Sequence, residues 1–212
     1  MTYLRDVAAL ARKDLLLELR SRDTLPAMLL FVLSTLVVFH FALPAKTSDA
    51  AQAGLLWVAL LFTALLGLVR AFVAEREQRV LDGLVLAPCD RSAIWLGKGI
   101  GVAAFLVLAE VVALPAYGLF FGPVGWEFVA AVALADIGLA AVGTLLAAMA
   151  AASRARELLL PLLFLPLVIP VVVGGVGASV AAHPGRYLAF LGLYDAVFAI
   201  LSWASFEYVV TE

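Results

Sequence analysis

Apolar residues fall in six long, nearly uninterrupted runs, and polar residues gather in the short stretches between them. The runs cover Leu25–Leu43, Ala53–Ala74, Gly99–Phe121, Phe128–Ala152, Leu158–Val180 and Tyr187–Val210. Each is close to the roughly 20 apolar residues that a helix needs to cross a hydrocarbon core about 30 Å thick. In lipid every backbone N–H and C=O has to be satisfied within its own segment, so the runs predict six spanning helices. The fifth is the least regular, because Pro161, Pro166 and Pro170 precede Gly174, Gly175 and Gly177, and each interior proline removes a helix hydrogen bond. Two structures fit it: a short re-entrant piece over residues 170–184, or a kinked continuous helix.

Two of the intervening stretches carry a pattern of their own. Between Tyr3 and Arg22, Leu4, Val7, Ala8, Ala11, Leu15 and Leu19 recur at helical spacing, while Arg5, Arg12, Lys13 and Arg20 lie on another face. Residues 1–24 therefore read as an amphipathic helix at the membrane interface, with a basic flank that only enforces topology as the plainer alternative. In the stretch 75–98, Val80, Leu81, Leu84 and Val85 also repeat at helical spacing, Pro88 interrupts, and Asp90 is placed to cap a following helix that carries Ile94 and Trp95. Such a loop offers an apolar knob to a soluble partner's groove or rests on the membrane; periodicity alone does not separate the two.

Composition excludes the soluble classes. Of 212 residues, 65% are apolar and 14% are charged, against about 25% charged in an average soluble domain. A soluble enzyme, a disordered chain and a nucleic-acid binder are all ruled out. The 14 basic residues set the orientation. Twelve of them flank residues 1–24, 70–98 or 154–156, and Lys46 and Arg186 alone fall on the other side, so both termini, including the tail 211–212, are expected in the cytoplasm. The first run is too long for the roughly 7–15-residue core of a cleaved signal and reads as a permanent anchor. One cysteine, Cys89, with His40 and His183, is too sparse a set for a disulfide or a zinc site, and no metal is expected.

The string Glu75-Arg76-Glu77, followed by Leu81-Asp82, Leu84, Pro88, Asp90-Arg91 and Gly97-Lys98, resembles the cytoplasmic coupling loop of type-two ABC exporter permeases. Lys13-Asp14-Leu15, Glu18-Leu19-Arg20-Ser21-Arg22, Glu110-Val111-Val112-Ala113-Leu114-Pro115, Gly143-Thr144-Leu145-Leu146 and Arg154-Ala155-Arg156-Glu157 narrow it to one family. Together they resemble the haem exporter protein B (CcmB) family of cytochrome c maturation. Val80 and Asp82 depart from the expected Thr and Glu, which bears on fine contacts. The resemblance implies an all-α, six-span permease in a bacterial inner membrane, a separate ATPase subunit, other haem-handling membrane subunits as partners, and haem as cargo. It also implies that Glu75, Arg76, Glu77, Leu81, Asp82, Leu84, Val85, Pro88, Asp90 and Arg91 form the ATPase-coupling surface.

Residues that are missing agree with that division of labour. Gly97-Lys98-Gly99 lacks the upstream glycine, hydroxyl residue and strand of a phosphate loop, so ATP is expected on another chain and no cofactor on this one. No nucleophile with a base, and no His pair on one helix, suggests an intramembrane enzyme. Glu110, Asp136 and Asp195 do lie inside spans, where each would cost about 2.5–3.5 kcal/mol at a helix centre, so they should face protein or water. They either line a substrate path or face another subunit, or are protonated acids bonded to a neighbouring helix; Glu110 reads first as the latter, and Asp136 and Asp195 as close enough to an interface to stay hydrated. His40 and His183 are weak haem-ligand candidates, since His183-Pro184-Gly185 reads first as a turn. Trp57 and Trp126 read as outer-face anchors, and Trp95 as an inner anchor or docking residue. Gly97 with Gly101, and Ala64, Gly67 and Ala71, are small-residue rows suited to close helix approach, and they suggest two copies around a shared interface, in contact with membrane lipid. Export of a lipid, polysaccharide or drug, and a scaffold that transports nothing, remain open as rival readings.

Overall fold

A computed structural model describes residues 2–21, 23–44, 46–77, 90–152 and 156–211. These form seven helices and, among the described residues, no strand: α1 Thr2–Ser21, α2 Thr24–Ala42, α3 Asp49–Glu77, α4 Arg91–Phe121, α5 Trp126–Ala152, α6 Arg156–Val180 and α7 Gly185–Thr211. The last six are each long and apolar enough to cross a bilayer, and they start and stop within a few residues of the apolar runs except where α3 and α4 extend further. The protein is a multi-pass helical membrane protein.

Helix α5 lies at the centre, in contact with α3, α4, α6 and α7. Of its membrane-length segment 67% is buried, against 17% for α2 at the periphery. Its sequence is rich in alanine, with two glycines where neighbours come closest. A Cβ at Gly143 would lie 2.5 Å from Leu68 Cδ1 on α3, and one at Gly138 would lie 2.5 Å from Asp195 Oδ1 and 3.0 Å from the Tyr194 ring on α7. Lipid supplies no hydrophobic drive for helix association, so small residues that bring backbones together supply the contact energy instead. Helix α2 lays the stripe Met28, Val32 and Leu36 against the bundle, and Met28 Sδ covers Gly67, 3.0 Å from where its Cβ would be.

Helix α6 runs without a break through Pro161, Pro166 and Pro170 to Val180. The re-entrant alternative for residues 170–184 is therefore overturned: the chain is helical to 180 and turns at Pro184 into α7. Cross-helix bonds hold the proline-weakened helix. The Tyr194 hydroxyl on α7 donates to the Leu167 carbonyl at 2.9 Å, within the turn that Pro170 disturbs. Near its end, Trp57 Nε1 on α3 donates to Ser179 Oγ at 3.0 Å, and Ser179 Oγ donates to the Gly175 carbonyl at 2.7 Å. Pro170 leaves the Pro166 carbonyl without its helical N–H, so these bonds brace α6 against α3 and α7 without replacing the lost one. This also corrects the reading of Trp57, which is not an outer-face anchor. It lies eight residues into α3, is 3% exposed, and packs against Phe128 with ring centroids 5.8 Å apart. Trp126, by contrast, opens α5 and is 70% exposed.

Helix α1 packs along the first turns of α4. Gly97 and Gly101 form the seam: a Cβ at Gly97 would lie 2.7 Å from Leu10 Cβ, and one at Gly101 would lie 3.4 Å from Asp14 Cβ. Val7 is buried there, whereas Leu4 and Leu19 of the same face stay exposed, so the apolar face expected for residues 1–24 is divided between the bundle and its surroundings. Gly122 ends α4 at φ 125°, a left-handed conformation that favours glycine, and residues 122–125 join α4 to the antiparallel α5.

Gly175 tests the α3–α6 contact. A Cβ there would collide with the Trp57 ring. Gly175→Ala should displace that ring, break its bond to Ser179 and destabilise the bundle by about 1–3 kcal/mol, read by denaturant unfolding in detergent alongside a red-shifted tryptophan emission. Unchanged stability and emission would refute the contact.

Candidate functional site

The residues singled out from the sequence fall at three levels. At the level of the chain termini, the backbone of Glu75, Arg76 and Glu77 completes the last turn of α3. Leu81, Asp82, Leu84, Val85 and Pro88 lie outside the described residues. The chain resumes at Asp90, whose carboxylate caps α4 as expected: it accepts from the Ser92 N–H at 2.9 Å and from the Ser92 hydroxyl at 2.7 Å. Those two bonds, the hydroxyl first, hold the Asp90 carboxyl below the ordinary 3.8. Arg91 Nη1 pairs with Glu207 Oε1 of α7 at 3.3 Å, an exposed contact of small energetic weight. Behind it a satellite core of Ile94, Ala148 and Phe206, with Leu10 and Trp95 against it, ties the first turns of α4 to α1, α5 and α7.

Two helices frame the 78–89 segment. Helix α3 has 29 residues and α4 has 31, about 43 and 46 Å at 1.5 Å per residue, so each exceeds a hydrocarbon core of about 30 Å by more than a turn. Both are rods long enough to carry a loop clear of the membrane.

At the middle of the bundle lie the three acids. Glu110 precedes the end of α4 at Phe121 by eleven residues, Asp136 follows the start of α5 at Trp126 by ten, and Asp195 follows the start of α7 at Gly185 by ten. At 1.5 Å per residue all three sit about 15 Å from the far end, near the midplane. Asp136 is 4% and Asp195 6% exposed, which corrects the expectation that they remain hydrated near an interface. Glu110 and Asp136 share a hydrogen bond across the α4–α5 contact. They line one small void of about 10 Å³ whose other walls include Trp57, Leu106 and Val171. Asp195 faces Gly138, and no described donor reaches either of its carboxylate oxygens. Neither Thr144 Oγ1 nor Ser202 Oγ, both buried, has a hydrogen-bond partner among the described residues. The sequence reading weighed the acids one at a time and missed the pair. The signal was there: a short loop makes α4 and α5 antiparallel, so residues equally far from it meet.

At the far end, a cavity of about 470 Å³ opens between the starts of α3 and α5 and the ends of α4 and α6. Asp49, Gln52, Tyr117, Glu127, Phe128 and Ser179 line it, a set that favours cations over anions. His40 lies at the same end, where its Nδ1 meets the Phe120 carbonyl at 3.1 Å, which makes Nδ1 the protonated nitrogen. His183 is exposed in the turn before α7. Nothing brings the two histidines together, and no group of three potential ligands that could hold a metal occurs among the described residues.

The family model described as CcmB protein matches residues 5–207. Three curated proteins named heme exporter protein B are similar to the chain. That of Paracoccus denitrificans is 31% identical over 86% of this chain and 88% of its own length. That of Bradyrhizobium diazoefficiens is 32% identical over 84% and 83%. The Pseudomonas aeruginosa protein is 30% identical over 83% and 81%.

The Asp90 cap has a defined pH dependence. A carboxyl whose folded value is lowered contributes above its unfolded value and is lost as pH falls through the folded one. Protection of the Ser92 amide against hydrogen exchange should hold at neutral pH and disappear only below 3.8, and Asp90→Ala should remove it at every pH. Equal protection in the variant would exclude the cap.

Proposed function

Because this chain belongs to the CcmB protein family, we propose that it is the permease subunit of a haem-exporting complex of the ABC type that supports c-type cytochrome maturation. The match over residues 5–207, carried onto six spanning helices, is the observation on which this rests. The names of the three relatives favour haem over a lipid, polysaccharide or drug as cargo. In this reading the complex sits in a bacterial inner membrane with the end that bears both chain termini in the cytoplasm. That orientation gathers twelve of the 14 basic residues on the inner side. Other haem-handling membrane subunits complete the assembly, and the chain itself holds no cofactor.

ATP is hydrolysed on a separate subunit seated against residues 75–98. The length of α3 and α4 supports this, because two rods that clear the bilayer can hand a displacement of the loop between them to the membrane. Helix α4 is held at this end by its neighbours. Its first turns are clasped by α1 at Gly97 and Gly101 and by α7 at Arg91–Glu207 and Phe206, so a push at Asp90 is carried into α4 together with these partners. Movement of a rigid helix past its neighbours biases one bundle arrangement over another. A second copy of the chain completes the translocation path. It has to meet this one through a lipid-facing surface, since the Gly97–Gly101 row is occupied by α1 and Gly67 by Met28.

The decisive experiment is a pull-down. Leu84→Asp with Val85→Asp places two charges on the apolar side of the 75–98 segment and should cut recovery of the ATPase by at least about tenfold, or 1.4 kcal/mol, with membrane insertion intact. Full recovery would defeat the docking assignment, and ATP turnover by the purified chain alone would defeat the division of labour.

A further inference from the structure

We propose that Glu110 and Asp136 are a proton-binding site that latches α4 to α5 at the centre of the membrane, one proton closing the latch and its loss opening it. Four observations converge. The two carboxyls lie at the same depth on adjacent antiparallel helices. They meet each other in a hydrogen bond. Asp136 is 4% exposed, and its Oδ2 receives no amide or hydroxyl donor among the described residues. Both open onto a void of about 10 Å³, room for no more than one water.

A carboxylate only accepts hydrogen bonds, so two of them cannot bond to each other until one carries a proton. The bonded pair therefore holds at least one proton, and the last one is what keeps it joined. Releasing that proton to water leaves two anions side by side in a low-dielectric interior, where like charges repel strongly. No described residue lining the void offsets this. Helix α3 presents Trp57 and Leu61 to the pair, α4 Leu106, α5 Leu139, and α6 Val171 and Val172, and none of these is titratable. The Trp57 N–H is committed to Ser179. Asp195 is set on α7 against Gly138, which is two residues from Asp136 and so on the opposite side of α5. Loss of that proton is the one change that converts the contact from cohesive to repulsive. The two helices so joined are the arm that runs from the 75–98 segment and the central helix of the bundle, which makes the pair a gate on any motion passed between them.

Infrared spectroscopy of the full-length chain in lipid nanodiscs tests the site without reference to ATPase or cargo. At neutral pH the wild type should show a carboxylic-acid C=O band that shifts on slow exchange into D₂O. Because Asp195 is also buried without a described donor and can carry an acid band of its own, the comparison is made in an Asp195→Asn background: the band should persist there, and adding Glu110→Gln or Asp136→Asn should each abolish it. Thermal unfolding supplies the second reading: wild-type stability should fall by several degrees as pH is raised from neutral to alkaline, and the E110Q/D136N double variant, whose amides can bond without a proton, should lose that dependence. Absence of a protonated-acid band in the wild type overturns the proposal even if no variant folds. A band that survives both substitutions in the Asp195→Asn background, or a double variant that keeps the wild-type pH profile, overturns it equally.

Discussion

The narrowness of α5 is the condition on which the bundle depends. Four helices can surround a fifth in lipid only if the central one has almost no side-chain bulk, because the attraction available there is van der Waals contact at short range. Gly138 and Gly143 mark the closest approaches, where Asp195, Tyr194 and Leu68 occupy the volume that a Cβ would fill. The larger residues are supplied by the neighbours: Leu68 on α3, Phe164 and Val168 on α6, Leu191 on α7, all fully buried. A slender core inside a bulky ring also explains how three acids come to lie at the middle of the membrane. Each is screened from lipid by a neighbour drawn in close.

Two kinds of order are superposed on this packing. At the end with the chain termini, contacts are short and local: the Asp90 cap, the Arg91–Glu207 pair, and the Ile94, Ala148 and Phe206 cluster, with α1 as a splint. Deeper in, longer reaches stitch elements together, Tyr194 to Leu167 and Trp57 to Ser179, across the helix that prolines have weakened. The first set stiffens the start of α4. The second ties α6 to α3 and α7.

The sequence specified the spans well, since span length and the backbone's need for internal hydrogen bonds leave little choice. It specified the Asp90 cap for a similar reason: the motif is local and its geometry follows from spacing. It also marked where helices approach closely, at Gly97, Gly101 and Gly67, but not against what. Those rows are filled by α1 and Met28 from the same chain. Trp57 was misread because its residue type predicts the interface while its position along α3 does not. The acids were legible one by one, and their pairing required knowing that α4 and α5 fold back on a four-residue connection. The segment 78–89, richest in family resemblance, lies outside the described residues, so its role rests on kinship and on the rods that hold it.

That short connection bears on how the protein enters the bilayer. As α4 and α5 leave the ribosome in turn, each carries an acid that a lone helix would expose to lipid at about 2.5–3.5 kcal/mol. Folded back on Gly122–Gly125, the two can partition together as a hairpin, each acid shielded by the other before any later helix is made. Asp195 meets no described donor on α6 and is covered by Gly138 on a helix already in place. Assembly is thereby given a direction, with the central hairpin as the template onto which the last span is threaded.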